Sequence, residues 1–279
     1  MSPSIAKYLP VDGGPLKMAP GLFPLSTDFG NGDIDHQFFQ LDSQRHDYLK
    51  QKRQVPKSRY GVVTQTDRDL VAHHKALEWF WRTLNAEHPQ LPTCDQSLDV
   101  SAQWDLASSL IQADIAVISA PPNDQIITTR ISFPSGWSPE RIIGQSFWGV
   151  HGLVPTFANR IANAESLAKA MCTKGPFVRF VWTVCGDNIL DHHPQTQKPF
   201  WDGCSGGYLR VERHVTVPLG VCSVFLIRTY LYPLNELDEI SRHILGTSLS
   251  KMPTSYAHYK GLTQLNPILS KRLIRASLD

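Results

Sequence analysis

The chain has 279 residues, 42% of them hydrophobic and 19% charged, with a formal net charge of +2. That balance suits a globular protein with a sizeable core and is too apolar for disorder. The near-neutral charge, with basic residues scattered along the chain, speaks against a nucleic-acid partner. No stretch is apolar for long enough to span a bilayer, and the first 20 residues lack the pattern of a secretory signal. The five cysteines, Cys94, Cys172, Cys185, Cys204 and Cys222, include no C-x-x-C pair. This argues against structural zinc, an iron–sulfur cluster or a covalently attached haem, and for free thiols in a reducing cytoplasm.

Residues 1–43 are rich in Gly and Pro, carry the turn signal Phe29-Gly30-Asn31-Gly32-Asp33, and read as an extended arm. Residues 44–279 read as one domain. Helical spacing covers 43–54, where the basic run from Lys50 to Lys57 reads as a solvated helix end. It is strongest over 67–87, where Leu70, Leu77, Phe80, Trp81 and Leu84 share a face and Thr66 or Asp67 can cap it. A third helix is expected over 98–111. Two strands follow, 114–120 and 125–133, joined through Pro121-Pro122-Asn123-Asp124 as a hairpin. The interruption from 134 to 176 has helical spacing across 147–150 and 157–171. Strands return at 177–185, 208–217 and 222–232, the last two joined by Pro218-Leu219-Gly220-Val221. Helices over 235–249 and 264–275 complete the chain.

This order favours an α+β fold over a parallel α/β fold, in which strand and helix would alternate throughout. Two strands, a helical crossover and three antiparallel strands is the order of PAS domains. The expectation is therefore a five-stranded antiparallel sheet with a helical insert between strands two and three and added terminal helices.

Walker A, G-x-S-x-G, H-E-x-x-H and G-x-G-x-x-G signatures are absent. The doublets His73-His74 and His192-His193 read as ordinary surface residues. The informative segments lie elsewhere. Phe133-Pro134-Ser135-Gly136-Trp137 is followed by Gly144, His151 and Val154-Pro155 at the spacing Gly-x(6)-His-x-x-Val-Pro. Then come Val181-Trp182-Thr183, Arg210-Val211-Glu212-Arg213 and Ile227-Arg228-Thr229-Tyr230. Met18-Ala19-Pro20-Gly21-Leu22 and Tyr259-Lys260-Gly261-Leu262 extend the pattern toward both ends. Together these segments resemble the alpha-subunit-like family of haem-dependent oxidative N-demethylases.

The resemblance implies a PAS-like fold binding b-type haem and oxidation of a small secondary amine to formaldehyde and a primary amine. It also implies dioxygen as co-substrate and electrons from a separate NADPH-dependent flavin and iron–sulfur reductase, for which the chain has no recognisable site. His151 stands among Phe147, Trp148, Val150, Leu153 and Val154, where haem-binding PAS domains place their proximal histidine. It is the expected iron ligand; the plain alternative is a buried histidine bonded to a carbonyl. His214 stands where family members commonly carry Gln, which excludes it as a shared ligand. Arg228 and Arg213 are candidates for polarising bound oxygen, and Glu212 for holding an ammonium substrate. Glu212 and Arg213 cannot share a face of a regular strand, and a salt bridge explains each of these charges equally well. A haem propionate is a candidate partner for Arg228, Arg210 or Arg179. Phe147 and Trp182 are candidate pocket walls, Trp182 equally a core residue. Val181 and Leu153 stand where relatives often have Asn and Pro, which bears on the amine more than on the haem. The competing function is a PAS-like sensor binding oxygen, carbon monoxide or nitric oxide without turnover. A third is a PAS-like module that has lost haem.

Overall fold

A computed structural model describes residues 6–15, 21–151, 154–155 and 164–275, apart from the side chains of Trp148, His151 and Ala164. Its centre is one antiparallel sheet. In chain order the strands are β1 (Phe23–Pro24), β2 (Gly61–Val62), β3 (Asp114–Ser119), β4 (Ile126–Arg130), β5 (Phe177–Cys185), β6 (Tyr208–Pro218) and β7 (Cys222–Pro233). They lie side by side in the order β1-β5-β6-β7-β3-β4-β2. The sheet therefore has seven strands where five are expected. The five long ones fall where β-branched residues and period-two spacing place them. The two additions are two-residue edge strands, too short to carry any periodicity, and each pairs with a long strand, β1 with β5 and β2 with β4.

The helices are α1 (Arg45–Lys52), α2 (Asp67–Glu87), α3 (Val100–Leu110), α4 (Phe147–His151), α5 (Ala164–Thr173), α6 (Glu239–Ser250), α7 (Thr254–Tyr259) and α8 (Asn266–Arg275). Helix α2 starts at a capping box. Thr66 Oγ1 accepts from the Asp69 amide at 3.1 Å, and Asp69 Oδ2 accepts from the Thr66 amide at 3.0 Å. Its apolar stripe, Ala72, Ala76, Leu77, Phe80 and Leu84, is buried against α3 residues such as Trp104 and against one face of the sheet. The short α7 has no apolar periodicity to announce it. No helix among the described residues is long and apolar enough to cross a membrane, and all five cysteines are free.

Two expectations of solvent exposure hold only in part: Lys50, Arg53, Lys57 and His74 are exposed, the others are not. Lys52 is buried, its Nζ 3.2 Å from Asp114 Oδ1 and 2.6 Å from the Ala113 carbonyl. His73, His192 and His193 are buried too. His73 bridges α2 to the sheet, with Nε2 donating to the Val63 carbonyl and Nδ1 accepting from Trp104 Nε1 and Thr128 Oγ1. His192 and His193 sit against Asp187 and Glu140. Composition around a residue does not show such partners, which come from elsewhere in the chain.

The N-terminal segment is clasped to the sheet by a buried polar network. Tyr8 Oη donates to Asp35 Oδ1 at 2.6 Å, Gln40 Nε2 donates to Tyr8 Oη at 2.7 Å, and Tyr230 Oη donates to Gln40 Oε1. Arg213 Nη2 donates to the carbonyls of Asp35 and Gln37. Arg228 Nη2 donates to Asp42 Oδ2 at 2.8 Å, and its guanidinium lies 4.0 Å from the Tyr48 ring centre and 4.7 Å from that of Tyr230. Arg228 is 3% exposed at its side chain, so its charge depends on Asp42 in place of water. Asp42→Ala is expected to cost about 3 kcal/mol, because it strands a buried guanidinium. A urea unfolding curve with its midpoint unmoved would refute that dependence.

Candidate functional site

Strand β6 lies between β5 and β7 and sorts the chemistry of the domain onto two faces. Side chains alternate along a strand, so Leu209, Val211, Arg213, Val215 and Val217 point one way and Arg210, Glu212, His214 and Thr216 the other. Register extends each set across the sheet. Arg213 is paired with Phe180 and Arg228, on the face buried under the arm, α2 and α6. Glu212 is paired with Val181 and Thr229, and His214 with Arg179 and Ile227. This second face continues through Phe225, Ala116 and Ile118. Helices α4 and α5 lie on it, Phe147 and Ala168 packing with Ile118 and Ile126, and Val150 joining them. Around Arg179, Val181, Thr183, Glu212, His214 and Phe225 the face is only half buried.

Glu212 is the hub of that surface. Its Oε1 accepts from Ser135 Oγ and, at 3.4 Å, from Arg210 Nε, and its Oε2 accepts from His214 Nε2 at 3.0 Å. Burial alone would raise the carboxyl pKa. The His214 hydrogen bond and the Arg210 charge, with further help from Ser135, outweigh burial and hold Glu212 ionised well below the usual carboxylate range. Burial also lowers the His214 pKa, against the opposing pull of Glu212, so the imidazole stays neutral. With its Nε2 hydrogen on Glu212, His214 keeps a lone pair on Nδ1, which is buried without a partner among the described residues. The His214 ring packs edge-on to Phe225, 5.0 Å between centres.

Arg210 holds this arrangement still. Its Nε donates to Ser135 Oγ at 2.7 Å, its Nη1 to the Leu190 carbonyl at 2.9 Å and its Nη2 to the Phe133 carbonyl at 2.8 Å. Ser135 is in turn fixed by the 186–207 loop. The His192 amide donates to the Pro134 carbonyl, and the Gly136 amide donates to the His192 carbonyl. The loop folds around Trp201, which packs so closely on Gly186 and Gly207 that a Cβ at either would come within 2.3 Å of it.

The structure thus brings together Glu212, Arg210 and Arg179 on the face that carries α4 and Phe147. It does not bring Arg213, Arg228 or Trp182 to them. Arg213 and Arg228 belong to the clasp on the opposite face, and Trp182 to the core there with Val184, Leu209 and Tyr230. The backbone of His151 ends α4. Its side chain lies outside the described residues, as do Gly152 and Leu153, the side chain of Trp148, and Met18-Ala19-Pro20.

Sequence reasoning cites Ser135 and Lys260 only as parts of longer segments and weighs His214 only as a haem ligand. Ser135 stands inside the Phe-Pro-Ser-x-Trp segment, and His214 is two residues on along the same strand, which is a same-face signal. Lys260, in Tyr259-Lys260-Gly261-Leu262, follows α7 and donates from Nζ to the Trp182 carbonyl at 2.8 Å. Burial lowers its pKa to about 8, with Arg179 adding to the shift and Glu212 opposing it. No sequence period links residue 260 to strand β5.

Among the described residues no group of three or more His, Cys, Asp or Glu is placed to hold a metal ion. The family model described as haem-dependent oxidative N-demethylase, alpha subunit-like, matches residues 32–270. No curated protein matches the chain.

The buried neutral His214 has a consequence for acid stability. Its ordinary pKa is 6.5 and its folded pKa lies lower, so below about pH 6.5 the unfolded chain binds the extra proton and the folded one does not. The stabilisation is present above that pH and is lost as pH falls. His73 and His192, lowered for the same leading reason, act in the same direction. His214→Gln, whose amide still reaches Glu212, is expected to flatten part of the stability slope between about pH 6.5 and pH 5. Urea midpoints measured across that window provide the check, and a slope identical to the parent's counts against a buried neutral imidazole.

Proposed function

The chain belongs to the haem-dependent oxidative N-demethylase, alpha subunit-like family, and we propose that it is the haem-binding, oxygen-activating subunit of an oxidative N-demethylase. The observation that carries this reading is the half-buried second face of the sheet beside α4. It offers Val181 and Phe225 as half-buried apolar residues, with Phe147 and Val150 on the helical side and the Arg179 guanidinium without an ion pair among the described residues. A flat apolar group with an anionic edge fits such a surface, and haem is such a group.

In this reading His151, at the end of α4, would hold the haem iron through a ring nitrogen, and the apolar residues would exclude water. A bound b-type haem would supply dioxygen activation with electrons from a separate reductase, NADPH-dependent and carrying flavin and an iron–sulfur centre. The alpha-subunit-like character of the family supports the need for a partner. Glu212, held ionised, presents negative charge to the ammonium of a small secondary amine, while Arg210 and Ser135 fix the direction of its oxygens. Arg213 and Arg228 then serve the arm clasp. The five long strands run in the order β5-β6-β7-β3-β4, with α4 and α5 inserted between β4 and β5, which supports a PAS-like fold. The contacts of Tyr8, Asp35 and Asp42 with β6, β7 and their neighbours support an N-terminal arm over 1–43 wrapped on one domain over 44–279.

A second reading, a gas sensor without turnover, is favoured by the engagement of both Glu212 oxygens with protein donors, which leaves less of the carboxylate for an amine. Turnover of dimethylamine to formaldehyde with a reductase supplied separates the two readings.

Protein produced with haem supplementation should show a Soret band that sharpens and shifts on dithionite reduction. His151→Ala should lose or markedly change that spectrum. Parent protein without a Soret band would sink the haem reading, and an unchanged five-coordinate imidazole spectrum in His151→Ala would remove His151 as the ligand.

A further inference from the structure

The adjacent histidines His192 and His193 take no part in the chemistry proposed above, yet both are buried in the loop that fixes Ser135. A bridge between Ser135 and His192 joins the loop to that segment. In it the His192 amide donates to the Pro134 carbonyl at 3.1 Å and the Gly136 amide to the His192 carbonyl at 3.0 Å. Asp191 anchors the next residues. Its Oδ1 accepts from the His193 amide at 2.9 Å, and its Oδ2 accepts from Thr196 Oγ1 at 3.0 Å and Arg59 Nη1 at 2.6 Å. The His193 side chain, 1% exposed, closes the turn. Its Nδ1 accepts from the Gln195 amide at 3.1 Å, and its Nε2 lies 3.1 Å and 3.3 Å from the two oxygens of Glu140. A backbone amide only donates, which assigns the lone pair to Nδ1 and the hydrogen to Nε2.

This ring makes both bonds only while neutral. A second proton would sit on Nδ1 and face the Gln195 N–H, donor against donor, where the side chain is closed to water. The charged groups about the ring are Glu140 on the turn Pro139–Arg141, Arg59 on the turn Lys57–Arg59 and Asp191 in the loop itself. Glu140 and Asp191 favour a charged ring. Arg59 offsets them, being bonded to Asp191 and close enough to Glu140 to help lower its pKa. Glu140 accepts from Nε2 in either protonation state, and at 35% exposure its preference for the cation is weakened by water. The neighbouring ring resists charge as well. His192 Nε2 meets Asp187 Oδ1 at 3.0 Å, and burial and the Arg210 charge lower its pKa, with Lys198 adding to the shift and Asp187 opposing it. An opened loop thus binds a proton that the closed loop refuses, and falling pH favours opening.

We propose that His193 is an acid-released latch on the 186–207 loop: its neutral ring holds the loop closed on Ser135, and its protonation lets both go. On release Glu212 loses the Ser135 hydroxyl, and Arg210 loses Ser135 and the Leu190 carbonyl. The carboxylate is then no longer held in one direction. That release also slows turnover of an amine rests on the N-demethylase reading, whereas the latch does not.

The test is hydrogen exchange of single amides in the full chain, read by NMR at about pH 7.5 and about pH 5.5, either side of the range in which imidazoles charge. Rates are corrected for the pH dependence of intrinsic exchange. The Gly136 and His192 amides report the loop, and the Val211 and Val215 amides of β6 serve as controls. Protection of the two reporters should fall about tenfold between the two conditions, as one proton on a solvated imidazole of ordinary pKa about 6.5 supplies over that span. The controls should stay protected. His193→Asn, whose Oδ1 can accept from the Gln195 amide without titrating, should keep the reporters protected at both values. His192→Gln should retain the parent's acid response. The proposal is overturned if the parent's reporters stay protected in acid, or if β6 loses protection with them. It is equally overturned if His193→Asn responds like the parent, or if the response vanishes in His192→Gln. Should His193→Asn fail to fold, His193→Gln decides by the same readings. None of them involves turnover, so failure of the latch and failure of the N-demethylase reading are separate results.

Discussion

Everything around the candidate site depends on the two-residue period of β6. Because side chains alternate, Arg210, Glu212 and His214 stand in a row on one face, while Arg213 stands between them in sequence and behind them in space. Both arginines are closed by carbonyls, Arg213 by those of Asp35 and Gln37, Arg210 by those of Leu190 and Phe133. Their surroundings separate their roles. On the Arg213 side the chain packs its own N-terminal segment against the sheet, and little is left to meet a ligand. On the Arg210 side the sheet remains half open beside α4. A slip of one residue in the pairing of β6 would exchange the two sets, turning the hub carboxylate into the core. The closely matched registers with β5 and β7 on either side oppose such a slip.

The two faces use polar groups in different ways. The clasp under the arm ties tyrosines, Gln40, Asp35 and Asp42 to two arginines, each of which keeps its Nε buried without a partner among the described residues. Such networks hold geometry well when satisfied and are expensive when one member is removed. The open face has a closed kernel, Glu212 with its three partners, surrounded by groups with donors and acceptors to spare. Among the described residues His214 Nδ1 and the Arg179 guanidinium are of this kind.

Much of the fold was legible because it rests on local periodicity. The stripe Leu77, Phe80 and Leu84 and the cap at Thr66 announce α2, and the β-branched runs announce β5, β6 and β7. The edge strands at Phe23 and Gly61 were not legible, since two residues have no period and exist only because a long strand offers them a free edge. At the site, alternation correctly separated Glu212 from Arg213. It did not reveal which of the two faces α4, because that is decided by where the arm and α2 pack. The Ile-Arg-Thr-Tyr segment drew attention to Arg228, and its partner Asp42 lies 186 residues away. Lys260 meets the backbone carbonyl of Trp182, 78 residues away in the chain. Distances of that kind leave no trace in spacing.

The packing of Trp201 between Gly186 and Gly207 reaches further than its position suggests. This loop, polar and rich in proline, has the composition of a segment free to vary. Yet a methyl group at either glycine would drive the indole outward, and the indole shapes the same loop that carries His192. Through His192 the displacement would pass to Ser135, and through Ser135 to an oxygen of Glu212. Two glycines with no contact to that carboxylate thereby share in setting its direction. Variation among relatives at these two positions is thus expected to track the tuning of the site, whereas neighbouring exposed residues such as Gln197 and Lys198 drift freely.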